Sequence, residues 1–264
     1  MTAIDVHAHI YPEKIAERAV GAVGEFYLVD MYGQGTAAHL LASKEQAPLT
    51  HFVVHSVATK PSAVASINDF IAEQCREHEN FIGFATMHQD FEDMEGEIDR
   101  AIQLGLKGVK IHPDTQKANM DDPRLMRLYE VIEGRLPIVI HTGDYRYDFS
   151  HPRRLKRILH TFPNLVVDAA HFGGWSVFDY ALEYLEDENC YVDTSSALEF
   201  LGPRRTVELA RAYGIERVMF GSDFPMWSPV NEYNMISAMP FTEDEFEAIT
   251  WNNAQRFIAG EMPR

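Results

Sequence analysis

Cysteine, long apolar runs and basic residues are what this sequence has least of. Only two cysteines occur in 264 residues, and Cys75 and Cys190 lie far apart in unlike surroundings. We therefore expect free thiols in a reducing compartment instead of a disulfide framework. No apolar run approaches the length of a bilayer span, and no signal-peptide pattern opens the chain, so we predict a cytoplasmic protein without membrane contact.

The deficit of basic residues limits the kinds of partner. The chain has 23 Lys and Arg against 40 Asp and Glu, a formal net charge of −17 at pH 7, which argues against nucleic acid or an anionic membrane as partner. A small-molecule substrate, even an anionic one, stays compatible, because a bound metal ion can reverse the sign of the potential inside one pocket. The ordinary balance of 46 % hydrophobic and 24 % charged residues predicts one folded domain over residues 1–264.

Short apolar runs bounded by turn residues recur along the whole chain, as expected for strands buried on both faces. Segments with helical periodicity separate them, and some open at a helix-starting signal such as Pro123, Pro152 or the capping box Thr242–Glu245. Strands that alternate with helices at roughly 30-residue spacing predict parallel βαβ units, and eight of them favour a closed (β/α)8 TIM barrel. The predicted strands are Ala3–Ala8, His51–Val57, Phe81–Met87, Gly108–His112, Pro137–Thr142, Leu165–Ala170, Cys190–Thr194 and Arg217–Ser222.

The connection after the first predicted strand is unusually long. It contains Gly21–Gln46, which exceeds a simple strand-to-helix loop, and we interpret it as a cap or lid insertion over the site. Loops at the carboxyl face of such a barrel form the active site, so substrate specificity is expected in this segment and in Asp144–Ser150.

Chemically versatile side chains stand at the ends of several predicted strands, where barrels of this kind place their reactive groups. The first strand ends in Asp5-Val6-His7-Ala8-His9, and residues two apart on a strand point to the same side, so both imidazoles face the mouth. Each residue alone has a structural interpretation, such as a core histidine or a turn-capping aspartate. Together they form a nitrogen and oxygen set suited to zinc, iron(II) or manganese. The other strand-end residues are Lys110, His112, His141, His171 and Asp223.

The ordered set of motifs resembles the amidohydrolase superfamily, and most closely the branch that includes aminocarboxymuconate semialdehyde decarboxylase. The resemblance implies that Asp223 is a metal ligand that also takes a proton from metal-bound water. For His171 it implies either a second-metal ligand or an acid–base and electrophilic role in a one-metal site. The other implied ligands are His7, His9 and His141. The matching pieces are Ile4–His9, Gly108–Pro113, Ile140–Gly143, Ala170–Gly174, Phe220–Pro225 and Asn253–Phe257, whose asparagine is expected to be structural.

Lys110 distinguishes the one-metal form from the two-metal form. The decarboxylases of the branch lack a lysine here, whereas dihydroorotase-like members carry a Lys-apolar-Tyr-Pro run whose lysine is carboxylated and bridges two metals. Lys110-Ile111-His112-Pro113 is similar to that run, with histidine in place of tyrosine. Either a carboxylated Lys110 is a metal ligand, or a free Lys110 ammonium binds a substrate carboxylate. Both alternatives stay open at the level of sequence.

Two enzyme hypotheses follow. The first is a metal-dependent hydrolase that cleaves an amide, lactone or related bond of a small molecule with metal-activated water, using one or two ions, with zinc expected, and no organic cofactor. The second is a non-oxidative, one-metal decarboxylase of an aromatic or unsaturated carboxylic acid. A non-catalytic binding protein is a third alternative, but it has no need of an open metal position. For substrate binding the candidates are His112, His88 and Arg146.

The assembly state is a further expectation. Members of the family that this chain resembles are often dimers, and 11 methionines together with 11 % aromatic residues offer apolar material for an interface. We predict a homodimer. Light scattering at micromolar concentration should give about twice the chain mass, and a single species of 30.1 kDa would contradict the prediction.

Overall fold

The strands form one parallel sheet whose order follows the sequence. The computed structural model describes residues 2–263, so residues 1 and 264 of the predicted domain lie outside the described residues. Each strand pairs in parallel with the next. The strands are β1 (Ala3–His9), β2 (Leu49–His55), β3 (Phe81–Thr86), β4 (Gly108–Ile111), β5 (Ile138–Ile140), β6 (Val167–Ala169), β7 (Tyr191–Asp193) and β8 (Val218–Met219). All eight overlap the predicted segments.

The sheet closes where the chain after β8 runs beside β1. The backbone N–H of Val6 donates to the carbonyl of Phe220 at 3.0 Å, and Ala8 forms a parallel bridge with Phe224. The prediction extended β8 to Ser222, but beyond Met219 the chain pairs with β1 through separate hydrogen bonds instead of a continuous ladder. A ring of eight parallel strands enclosed by helices is a (β/α)8 TIM barrel, which confirms the predicted fold.

Helices fill the connections between the strands. No helix within residues 2–263 is long and apolar enough to cross a membrane. The capping box predicted at Thr242 is confirmed, since its hydroxyl accepts the N–H of Glu245 and the Glu245 carboxylate accepts the N–H of Thr242. The helices are α1 (Glu13–Tyr27), α2 (Ala37–Ala42), α3 (Val64–Glu77), α4 (Met94–Gln103), α5 (Pro113–Gln116), α6 (Pro123–Ile132), α7 (Pro152–Thr161), α8 (Phe178–Leu185), α9 (Leu198–Tyr213), α10 (Pro229–Ser237), α11 (Glu243–Glu247) and α12 (Asn253–Ile258), with short 3₁₀ turns at Ser43–Glu45, Pro61–Ala63 and Ile215–Arg217 and a π turn at Ala248–Asn252.

The insertion after β1 begins earlier than its predicted limit. Helix α1 starts at Glu13 and passes through Gly21 without a break. A glycine inside a helix costs only about 1 kcal/mol, and the burial of Ala16 and Val20 along one face outweighs that cost. The helix ends at Tyr27, whose hydroxyl lies 2.7 Å from Nε2 of His112, so the segment does cover the mouth of the barrel.

The inward face of the strands is apolar at the base of the barrel and polar at the top. Val53 and Val139 belong to a compact apolar cluster, and His55 and His141 follow each of them by two residues on the same face. Phe257 of α12 belongs to the same cluster. The apolar base holds the fold together and leaves the carboxyl ends of the strands free to carry polar groups.

We expect Asn253 to be structural, as the sequence motif suggested. Its buried amide donates to the carbonyls of Ile215 and Val218, both at 2.7 Å, which ties α12 to the start of β8. Asn253→Ala should lower the free energy of unfolding by about 2–3 kcal/mol, because it leaves two carbonyls without a donor. Urea denaturation measures this loss, with the exposed neighbour Asn252→Ala as control at under about 0.5 kcal/mol. Equal stability of the two variants would contradict the assignment.

Candidate metal centre

Five strands bring the candidate side chains to one end of the barrel. Parallel strands of a barrel all end at the same face, so residues at or just after their carboxyl ends meet there. All of these side chains are buried or nearly so. His7 and His9 lie in β1 and Lys110 in β4, while His141, His171 and Asp223 follow β5, β6 and β8.

His7, His9 and Asp223 form the first group of donors. Asp223 Oδ1 lies 3.6 Å from His7 Nε2 and 3.5 Å from His9 Nε2. Ligands bonded to one ion at about 2.1 Å stand about 3–4 Å apart, so this spacing fits a cation between them. Burial lowers the pKa of both imidazoles well below the ordinary value. The rings are therefore neutral at pH 7, which is the form that binds metal.

His141 and His171 form the second group. His171 Nδ1 lies 3.0 Å from the carbonyl of Ser195, and His141 Nε2 lies 3.0 Å from the carbonyl of Gly143, so these nitrogens carry the protons. The remaining nitrogens, His141 Nδ1 and His171 Nε2, then face each other as lone pairs at 3.0 Å. Two opposed lone pairs repel unless a cation lies beside both. The geometry of this pair therefore also fits a bound divalent cation.

Asp193 at the end of β7 contacts the candidate site, and the sequence analysis missed it. Its Oδ2 lies 2.8 Å from His7 Nδ1, which places the proton on Nδ1 and leaves the Nε2 lone pair facing Asp223. Its Oδ1 accepts the backbone N–H groups of His171 at 3.0 Å and Ser195 at 2.9 Å. The sequence did carry one signal for Asp193, because it stands at the end of a predicted strand, as the predicted ligands do.

Lys110 is fully buried beside the first group, with Nζ 3.1 Å from His7 Nε2. Burial lowers the pKa of its amine to about 8, while the neighbouring Asp223, Asp193 and Asp168 favour the charged form. Burial and the neighbouring Asp193 also raise the pKa of Asp168 well above its usual range, so that this carboxyl holds a proton. The lysine thus lies among carboxyl groups and next to the candidate ion position between His7, His9 and Asp223.

The backbone after β8 fixes the position of Asp223. Its N–H donates to the carbonyl of His7 at 2.8 Å, and its φ of 59° is a left-handed conformation that aspartate tolerates better than most residues. Oδ2 accepts the hydroxyl of Ser196 at 2.6 Å, which leaves Oδ1 facing the histidines. Burial raises the pKa of Asp223 to about 7. The carboxyl can therefore hold or release a proton near neutral pH.

His112 joins the site at its outer edge. Its ring stacks on that of His141, with centroids 3.8 Å apart and planes 8° apart, and its Nε2 bonds to the hydroxyl of Tyr27. The sequence analysis did not single out Tyr27, although the residue lies within the predicted cap Gly21–Gln46. The Tyr27 hydroxyl also lies 3.5 Å from His141 Nε2, so the cap contacts two histidines of the site.

Arg146 lies at the mouth but is already partnered. Its Nε and Nη2 donate to the two oxygens of Asp144 at 2.9 and 2.7 Å, and its Nη1 donates to the carbonyl of Phe26 at 2.6 Å. The guanidinium also lies 4.8–5.8 Å from the centroids of the aromatic rings of Phe26, Tyr27, Tyr147 and Trp175. Through these contacts Arg146 connects the cap to the barrel. Its role in substrate binding stays a prediction.

His88 is the candidate that the contacts do not connect to the histidine group within residues 2–263. Its Nδ1 accepts the backbone N–H of Asp90 at 3.1 Å and lies 3.9 Å from a carboxylate oxygen of the same residue. Local partners thus hold His88 two residues after the end of β3, and its substrate-binding role also stays a prediction.

A TIM barrel with histidines and a carboxylate at its strand ends defines a metal-dependent enzyme of the amidohydrolase type. Residues 4–259 match the family model described as Amidohydrolase. The chain therefore belongs to the amidohydrolase family. No functionally curated protein matches the chain by sequence.

Several solved structures share this fold over nearly the whole chain. A 2,6-dihydroxybenzoate decarboxylase in complex with 2,6-dihydroxybenzoate superposes with a TM-score of 0.77 at 16% identity, covering 98% of this chain and 99% of that one. A 5-carboxyvanillate decarboxylase from Novosphingobium aromaticivorans, with bound manganese and 3-methoxy-4-hydroxy-5-nitrobenzoic acid, gives 0.77 at 16% identity, covering 98% and 97%. An uncharacterised TIM-barrel protein from Bordetella bronchiseptica gives 0.77 at 17% identity, covering 98% and 99%. At these identities the likeness establishes the fold.

The hydrogen bond between Asp193 and His7 generates a prediction about metal affinity. Asp193→Asn keeps the shape but turns an N–H₂ group toward His7 Nδ1, which favours the tautomer with a proton on Nε2 and no lone pair for the ion. We expect affinity for a divalent cation to fall by about 10- to 100-fold, measured by competition with a chromophoric chelator.

The matched control is Asp187→Asn, an exposed aspartate six residues earlier, which should bind metal like the wild type. Circular dichroism should show both variants and the chelated wild type folded, because the barrel has its own apolar core. Unchanged affinity in Asp193→Asn would contradict the orienting role, and unfolding on chelation would make the ion structural.

Proposed function

We propose that the chain is a metal-dependent, non-oxidative decarboxylase of an aromatic or unsaturated carboxylic acid, acting with one divalent ion. Lys110 departs from the decarboxylases that the sequence resembles, and the observation that carries the proposal is the charge around it, which favours a free amine over the carboxylated ligand of a two-metal site. Its buried amine lies beside His7, a candidate metal ligand, and near the carboxyl groups of Asp168, Asp193 and Asp223.

The surrounding charge favours an amine over a carboxylated lysine at this position. Carboxylation would change the charge of Lys110 from positive to negative and place a further anion beside the carboxyl groups of Asp193 and Asp223. An ammonium instead offsets the negative charge, which costs less in a buried site. An ion bound at His7 Nε2 would replace the hydrogen bond from Lys110, and the freed ammonium would then suit a substrate carboxylate.

The mouth of the barrel suits a planar substrate. Tyr27 and Trp175 form an edge-on aromatic pair with ring centroids 5.0 Å apart, and Tyr27 contacts His112 and His141 directly. Aromatic walls stabilise a flat unsaturated ring by stacking and edge contacts. Structures that share the fold are named for the decarboxylation of hydroxylated benzoates, which are planar aromatic acids. This likeness supports the choice of reaction for this chain.

The reaction exchanges one bond on the substrate for another. The C–COO⁻ bond breaks, its electron pair stays on the ring carbon, carbon dioxide leaves, and a proton forms the new C–H bond. Asp223, whose Oδ2 accepts the Ser196 hydroxyl, is the carboxyl group placed at the centre to pass that proton to the ring carbon. His171, held by Ser195, is the second group able to orient the substrate. The divalent ion, when bound, would supply positive charge that fixes and polarises the substrate's oxygen atoms.

A two-metal hydrolase is the second candidate, and two observations favour it. The amine of Lys110 has a pKa of about 8, so a fraction is uncharged at neutral pH and able to take up carbon dioxide. The His141–His171 pair also offers a second position for a cation. In this alternative a metal-activated water cleaves an amide, lactone or related bond, and Asp223 takes up its proton.

Product analysis separates the two candidates. Protein loaded in turn with manganese and zinc should release carbon dioxide from at least one member of a panel of hydroxylated benzoic acids. The His7→Ala variant, which loses a proposed ligand, should release none. Turnover of amides or lactones, with no carbon dioxide from any acid of the panel, would contradict the decarboxylase proposal.

Lys110→Met tests the number of ions and the state of the lysine. With a free ammonium, the variant should keep about one metal per chain and lose substrate binding, so that KM rises more than kcat falls. The exposed Lys107→Met is the control and should match the wild type. Two metals in the wild type and one in the Lys110 variant would instead establish the carboxylated, two-metal form.

A further inference from the structure

His55 is a fully buried histidine that none of the preceding roles uses. It is the last residue of β2 and stands at the same end of the barrel as the metal centre. Its ring packs edge-on against His7, with centroids 5.0 Å apart and planes at 74°, and against His9, at 4.4 Å and 82°. Three imidazoles from two neighbouring strands therefore meet at one point.

Neither ring nitrogen of His55 has a hydrogen-bond partner in the described part of the chain. Burying a polar group without a partner costs about 1–3 kcal/mol, so some partner outside the protein atoms is expected to satisfy it. His7 and His171 differ in this respect. His7 is oriented by Asp193 and His171 by Ser195, so each has one nitrogen committed to the protein.

We propose that His55 is a further ligand of the ion held by His7 and His9. One ring nitrogen of each of the three residues lies within 4.8 Å of the others, a separation compatible with a common cation. Because neither ring nitrogen is bonded within the described residues, a lone pair of His55 is free for the ion. The inference rests on the metal centre of the proposed function and holds for decarboxylation and hydrolysis alike.

A third imidazole changes which metal ions the centre prefers. Three neutral nitrogen donors and the Asp223 carboxylate form a set that suits zinc, cobalt(II) or iron(II) better than magnesium or calcium, which prefer oxygen.

Cobalt(II) binding tests the ligation directly, because its visible absorption reports the number and kind of donors independently of turnover. His55→Gln should change the d–d spectrum of the bound cobalt and weaken cobalt binding by about tenfold or more. His51→Gln is the matched control on the same strand. That half-buried histidine bonds to the hydroxyl of Thr50, and its substitution should leave both spectrum and affinity unchanged.

His55→Phe removes both lone pairs and fills the volume, and it should show the same spectral change. If one variant fails to fold by circular dichroism, the other is judged by the same criteria. A folded His55 variant with an unchanged cobalt spectrum would overturn the inference, even if affinity fell, since the residue would then only support the ligands. A wild-type protein that binds no cobalt or other divalent metal would overturn the metal centre itself.

Discussion

The active end of this barrel depends on one electrostatic constraint, the burial of many titratable groups in a small volume. Desolvation keeps His7, His9 and His141 uncharged, so their lone pairs are available and their mutual repulsion as cations is avoided. Backbone carbonyls and Asp193 then decide which nitrogen of a ring carries the proton. Several nitrogen lone pairs therefore face one another. They repel each other when alone, and a bound cation stabilises them.

The fold supplies this constraint through its geometry. Parallel strands that close into a ring must all end at one face, and the apolar base with Phe257 holds their spacing. The cap adds the second half of the enclosure. Arg146 links Phe26 of the cap to Asp144 of the barrel, and Tyr27 lies over His112, so the cap shields the polar cluster from bulk water. Burial of the titratable groups is thus a consequence of the barrel and the cap together.

Much of this architecture could be predicted from the sequence, because strand periodicity and strand-end residues are local signals. His7 and His9 share one face through a two-residue spacing, and all eight strands overlap their predicted positions. Residues that act through distant partners gave no such signal. Asp193 orients a histidine 186 residues away, and only the closed ring brings them together. His55 was visible as a histidine within a strand, but its unpaired nitrogens depend on three-dimensional packing. The cap was predicted to begin at Gly21, but α1 begins at Glu13 and continues through that glycine, because the burial of its apolar face outweighs the cost of a glycine in a helix.

The most direct measurement of the central claim is anomalous diffraction from crystals loaded with manganese. The account predicts one strong anomalous peak at bonding distance from nitrogens of His7 and His9 and from Asp223, with an unmodified Lys110 beside it. Two peaks about 3.5–4 Å apart, bridged by additional density on the lysine, would contradict the one-metal decarboxylase and establish the two-metal hydrolase.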